Sequence, residues 1–162
     1  MIPQKFVPLK IMKGKEKKEI LEKLDAQFGI SSVNGEIFAR GREKLFLFTG
    51  KIKENELKRI EEVTVVERVG IYFAKIDENT DDLRLSIEGS QILGDQITKN
   101  ILELTSYDDV ENWMKGHELN IRTGKKGFVI IKFKDEFLGT GKASEEKVAN
   151  FIPKNRRLKE KS

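Results

Sequence analysis

Residues 137–157 read FLGTGKASEEKVANFIPKNRR and divide into three parts. Residues 137–142 form a glycine-punctuated apolar strand. Ser144, with Glu145 and Glu146 behind it, has the chemistry to cap a last helical turn that Pro153 stops. Beyond the proline stand Lys154, Arg156 and Arg157. Residues 142–162 hold seven Lys/Arg against three Glu, a local net of +4, equal to the net charge of the whole 162-residue chain.

Upstream of that run, the pattern is of short strands. Residues 118–122 and 128–133 read as strands, with 124–127 and 134–136 as connections of hairpin length. Ser106, followed by Asp108 and Asp109, predicts a capped helix carrying Val110, Trp113 and Met114 on one face until Gly116. A strand is expected within 97–105, with Ile101, Leu102 and Leu104 inward. Before it, Leu83, Leu85 and Ile87 alternate as a strand, and 89–94 form a short helical turn. The acidic hexapeptide 77–82 reads as a linker between two units. A catalytic carboxylate pair is the competing reading of that segment, and solvated turn chemistry accounts for it without one.

The first unit, 1–78, reads as a small α/β layer. Ile20, Leu21, Leu24 and Phe28 mark one face of a helix over 15–28, closed by Gly29. Residues 36–40 and 44–49 form a hairpin around 41–43. Leu45 and Leu47 face one way and Phe46 and Phe48 the other, so that strand is expected to be covered on both sides. A second helix over 55–62 turns Leu57 and Ile60 inward, and 63–69 and 71–76 read as strands. The last residues, 159–162, read as a loose basic tail.

Composition narrows the chemistry. There is no cysteine, so disulfides, thiolate metal sites and thiol nucleophiles are excluded. Charged residues make up 36% with both signs mixed, a balance common in thermophile proteins. The N-terminus lacks the apolar core of a signal peptide, and no run reaches the length of a membrane helix, so a cytoplasmic protein with no membrane partner is expected. Residues 1–18 sum to +5, which leaves −5 for residues 19–141. Basic ends on an acidic body suit a polyanion met by two edges of the molecule, or simply solvated ends.

Three local features invite sharper readings. Gly139-Thr140-Gly141-Lys142 lies where a phosphate loop would, but Glu136 and Ala143 stand where a Walker loop needs glycine and Ser/Thr. The glycines then serve a kink or a close backbone approach. His117, the one histidine, has no ligand spacing or nucleophile beside it and reads as structural. Trp113 could stack on a base, yet its helical phase with Val110 and Met114 assigns it to a core.

Residues 87–94 (IEGSQILG), 113–119 (WMKGHEL) and 126–144 (KGFVIIKFKDEFLGTGKAS) together resemble a PUA domain, a small RNA-binding β-pseudobarrel. With 147–157 (KVANFIPKNRR) they look like the C-terminal PUA-like region of Sun-type RNA cytosine-5 methyltransferases, over about 83–158. A weaker likeness, through 28–30, 45–48 and 66–76, extends to the region preceding that unit. The methyltransferase core has no counterpart here: no glycine-rich S-adenosylmethionine loop is present, and those enzymes need cysteines. The resemblance therefore implies an α+β chain, a small α/β domain followed by a PUA-like pseudobarrel over 83–158. It implies RNA binding without catalysis and without a cofactor. Structured ribosomal or transfer RNA is the expected partner, and an RNA-modifying enzyme or preribosomal protein is the alternative one.

The residues expected at such an interface are mostly cations, since each can neutralise a phosphate. They are Lys142, Lys147, Lys154, Arg156 and Arg157, with Arg122, Lys125 and Lys126 on a hairpin that the strand order could bring near. Asn150 belongs to the tail pattern. Gln91, in the glycine-bounded helix, could read a base edge or ribose hydroxyl.

Overall fold

The computed structural model describes residues 7–160; the first six residues of the basic N-terminal segment, and Lys161 with Ser162, lie outside the described residues. Five antiparallel strands form a meander in chain order: β1 (Leu9–Met12), β2 (Glu36–Arg40), β3 (Lys44–Phe48), β4 (Ile71–Ile76) and β5 (Leu83–Leu85). The helix α1 (Gly14–Phe28) covers one face with Ile20, Leu24 and Phe28. Leu45 and Leu47 point into that core, while Phe46 joins Phe38 and Leu57 in a second cluster on the other face. The two-sided burial of β3 follows from its unbroken apolar run.

A second sheet has the order β6 (Ile101–Leu104), β7 (Gly127–Phe133), β8 (Glu136–Ala143) and β9 (Val148–Asn150). β6 runs parallel to β7 and the other pairs are antiparallel. The helix α4 (Tyr107–Met114) is capped by Ser106, whose Oγ accepts from Asp108 N at 3.2 Å. It buries Trp113 completely, and the indole Nε1 donates to Leu138 O at 2.8 Å. The base-stacking alternative for Trp113 ends there. Between Phe137 and Thr140, β8 carries one more residue than the facing stretch of β7, and Gly139 takes the bulge at φ +85°.

Several expectations need correction. Residues 77–82 form a turn between paired strands, and Leu83–Leu85, expected to open the second unit, completes the first sheet. The main core is continuous across that turn, holding Leu24 and Phe73 together with Leu93, Phe128 and Ile130. Of residues 63–69, Val63 ends a helix and 64–69 are irregular, so their β-branched run makes no ladder. Ile60 is 41% exposed on α2 (Glu54–Val63), where only Leu57 is buried. Residues 118–122 contribute a single bridge, Leu119 to Val148. Ser144 caps no helix: its backbone N–H and its hydroxyl both donate to Lys147 O, at 2.9 and 3.1 Å, closing a tight hairpin into β9.

The two sheets meet at α3 (Ile87–Ile92). Ser86 N donates to Phe73 O at 2.9 Å and Ser86 Oγ donates to Tyr72 O at 2.8 Å, while that same oxygen accepts from Gly89 N at 2.9 Å. Phe73 is the extra residue of a β4 bulge, because Leu45 pairs with Ala74 and Phe46 with Tyr72. On the far side, Ser90 Oγ accepts from Gly139 N at 3.1 Å, in the bulge of β8. Gly89 sits so close to β4 that an added Cβ would lie 2.1 Å from Phe73 O. Gly89→Ala should therefore cost at least about 2 kcal/mol, since the obstacle is backbone and cannot rotate away. Urea unfolding monitored by Trp113 fluorescence checks this, and a loss under about 0.5 kcal/mol would show that α3 can shift freely.

Candidate nucleic-acid interface

The chain after β9 is fastened by two of the side chains expected at the RNA interface. Asn150 Nδ2 donates to Trp113 O at 2.8 Å and His117 O at 3.1 Å, and Oδ1 accepts from Ile152 N at 2.8 Å. Both amide hydrogens are thus spent on the end of α4 and the turn that follows it. Arg157 Nε donates to Ile152 O at 2.9 Å, and its side chain lies against Gly116, where an added Cβ would meet Nε at 2.3 Å. Leu158 N then donates to Met114 O at 2.9 Å. Asn150 and Arg157 work as clasps that hold the tail to α4. His117 is exposed, with Nε2 3.0 Å from Glu160 Oε1, and Glu160 also reaches Lys115 at 3.3 Å.

The clasps present a short 3₁₀ turn, Lys154–Arg156, behind Pro153. Arg156 pairs with Glu88 of α3. Three other expected cations also have acidic neighbours: Arg122 with Glu146 at 3.0 Å, Lys147 with Glu118 at 2.8 Å, and Lys142 with Asp77 at 3.8 Å. Among the described residues the ammonium groups of Lys125, Lys126 and Lys154 have no such partner, and all three are exposed. Gln91 is exposed, and its Nε2 donates to Phe137 O at 3.2 Å, which leaves its carbonyl oxygen available. Among the described residues there is no group of three or more metal-ligating side chains.

Next to the tail, cations alternate with aromatic rings in an arrangement the sequence did not reveal. Lys142 Nζ lies 5.4 Å from the centre of the Phe128 ring, and Phe128 meets Phe151 edge-on at 6.0 Å. Arg84 Cζ of β5 then lies 4.2 Å over Phe151. Phe151 and Arg84 border two hollows, a cleft of about 470 Å³ reaching Arg156 and a polar one of about 340 Å³ reaching Lys142. Asp77 lines the second, and its Oδ2 accepts from the Thr80 hydroxyl at 2.7 Å. That hydrogen bond first, and the Lys142 ammonium after it, hold the Asp77 carboxyl below its ordinary value. Arg84 and Phe151 stand 67 positions apart in the chain, a pairing that no local spacing signals.

Residues 99–158 match the family model described as the methyltransferase RsmF PUA domain, so the C-terminal part of the chain is a PUA-like sheet domain. The chain is 27% identical over 150 residues to the ribosomal RNA small subunit methyltransferase F of Aeromonas hydrophila subsp. hydrophila. That alignment takes in 92% of this chain and 29% of the relative's length, so it extends well into the first sheet. The resemblance to the C-terminal region of RNA methyltransferases thus holds on both counts.

Asn150→Ala should lower stability by roughly 1–3 kcal/mol by stranding the backbone groups it serves. Lys154→Ala should stay within about 0.5 kcal/mol of the parent in the same urea titration. For Asp77, a lowered native pKa means stabilisation that is complete above its ordinary value of 3.8 and is lost as pH falls through the lowered native value. Thr80→Ala should bring the Asp77 titration, followed by carboxyl-carbon NMR, back up toward 3.8. An unchanged midpoint would leave the hydroxyl without that role.

Proposed function

We propose that this protein binds structured RNA without catalysing a reaction on it, in the setting of ribosomal RNA modification. The match of residues 99–158 to the PUA domain of an RNA methyltransferase family carries this reading. The relative whose C-terminal region it resembles is named as a ribosomal RNA methyltransferase, which supports ribosomal over transfer RNA. A non-catalytic role is supported by the absence of cysteine, since the reaction of the resembling enzymes needs thiols. Contacts would be made first to phosphates, with base preference confined to unstacked nucleotides, because the grooves of an RNA duplex expose little sequence to side chains.

Lys125, Lys126 and Lys154 are the cations freest to neutralise phosphate, and Arg122, Lys142, Lys147 and Arg156 would have to exchange a carboxylate for one. A second reading, docking on an RNA-modifying enzyme or a preribosomal protein, draws support from exposed apolar side chains in and after α2. Val63 is 84% exposed, and Val65 and Ile71 lie nearby in the chain at 59% and 47%. Capture of a protein partner that survives ribonuclease would favour docking.

Binding to a structured ribosomal RNA fragment should weaken steeply with salt. The combined Lys125/Lys126/Lys154→Ala variant should make the log–log slope shallower by roughly two to three units. Salt-independent binding, or none, would overturn the reading.

A further inference from the structure

The larger cleft lies between the first sheet and the tail, and both halves of the chain build it. Arg68 and Tyr72 come from the approach to β4 and from β4 itself, Arg84 from β5, Glu88 from α3, and Phe151 and Arg156 from the segment after β9. Three guanidinium groups and one carboxylate are thus the charged members of its wall, a balance that favours an anion. Arg68 is exposed and makes no hydrogen bond or ion pair among the described residues. Arg156 is held by Glu88, and a guanidinium with five N–H donors keeps several for another acceptor. Thr140, also in the lining, is 4% exposed and its hydroxyl has no hydrogen-bond partner among the described residues.

The cleft also offers a flat surface. Arg84 Cζ lies 4.2 Å over the centre of the Phe151 ring, so the planar guanidinium is in cation–π contact with that ring. The opposite face of such a plane can carry a further ring, as arginine and aromatic side chains do for unstacked bases. At about 470 Å³ the cleft falls in the range of small-ligand sites, far too small for a duplex. An acidic peptide would use the cations but would leave the stacked plane without a function.

We infer that this cleft takes a single unstacked nucleotide of the bound RNA, its base on the Arg84–Phe151 shelf and its phosphate between Arg68 and Arg156. The inference rests on the RNA-binding reading above and adds a subsite to it. That subsite is shared with the first sheet, and Arg68, Tyr72, Arg84 and Glu88 lie outside the matched residues 99–158.

The test uses the full chain and two RNAs, a blunt hairpin and the same hairpin with a short single-stranded 3′ extension, with affinities read by fluorescence anisotropy. The parent should bind the extended hairpin about tenfold more tightly, the scale of one base stacked on a side chain. Arg84→Lys keeps the charge but loses the plane; it should abolish that preference and change blunt-hairpin affinity by less than about twofold. Arg68→Ala, at an exposed residue, should reduce the preference too and decides the matter if Arg84→Lys does not fold. Equal binding of the two RNAs by the parent, or a preference untouched by these substitutions, would overturn the subsite while leaving RNA binding intact. Failure to bind either RNA would instead overturn the reading on which it rests.

Discussion

The hydrogen bonds made by residues 86–90 hold the two sheets in one frame, and both the cleft and the tail depend on them. Ser86 uses its backbone N–H and its hydroxyl on the carbonyls of Phe73 and Tyr72, and the hydroxyl oxygen also serves as the N-cap of α3. Two turns of chemistry are satisfied by one short side chain. Ser90 then reaches across to the N–H of Gly139 with a fully buried hydroxyl, which donates in turn to Ile87 O at 2.7 Å. Both attachments fall at β-bulges, where the strand backbone presents groups that a regular ladder would have used up. Glu88, fixed on the same short helix, can then reach Arg156, so the position of the tail is referred back to β4.

Further side-chain ties reinforce the frame, within the first sheet and between it and the segment leading to β6. The Gln27 side chain on α1 pairs with the backbone of Leu83 as a strand would, its Oε1 accepting from the N–H at 2.6 Å and its Nε2 donating to the carbonyl at 3.0 Å. Asn100, just ahead of β6, donates from its side chain to Gln27 O at 2.6 Å, and its own carbonyl accepts from Ile130 N. Gln96 similarly accepts from the N–H groups of Ser31 and Ser32. These amides act as backbone mimics at edges, which covers polar groups that the shared core would otherwise strand.

Much of this architecture was legible where one element decided its own pattern. The double-sided apolar run of β3, the helical phase of Ile20, Leu24 and Phe28, and Ser106 ahead of Trp113 each carry their burial in local spacing. Legibility failed where the deciding neighbour was remote. The serine-and-glutamate chemistry of 144–146 suits a helix cap and a hairpin turn equally, and pairing of Val148 with Ala143 settles it as a turn. Residues 63–69 have strand composition without a partner strand. Asn150 carries a tail motif whose meaning comes from Trp113 and His117, more than thirty residues earlier. A cation's charge is visible in a sequence, but the carboxylate opposite it is not.

That last point separates the candidate interface into two kinds of cation. Arg122 and Glu146 have side chains that are 79% and 74% exposed, and Lys147 with Glu118 is about half-exposed on both sides. Pairs so open to water contribute little to stability and are screened by salt, so a phosphate can displace the carboxylate at small cost. Arg157 is different, because its partner is the carbonyl of Ile152 and its side chain fills the space over Gly116. Withdrawing it for a phosphate would undo the turn that presents Lys154. In the proposed binding the tail would act in two ways: exchangeable or unpaired cations would supply charge, while the clasps of Asn150 and Arg157 fix where that charge stands. Charge count alone would rank Arg157 with Lys154, yet Arg157 is tied into the turn while Lys154 has no acidic partner among the described residues.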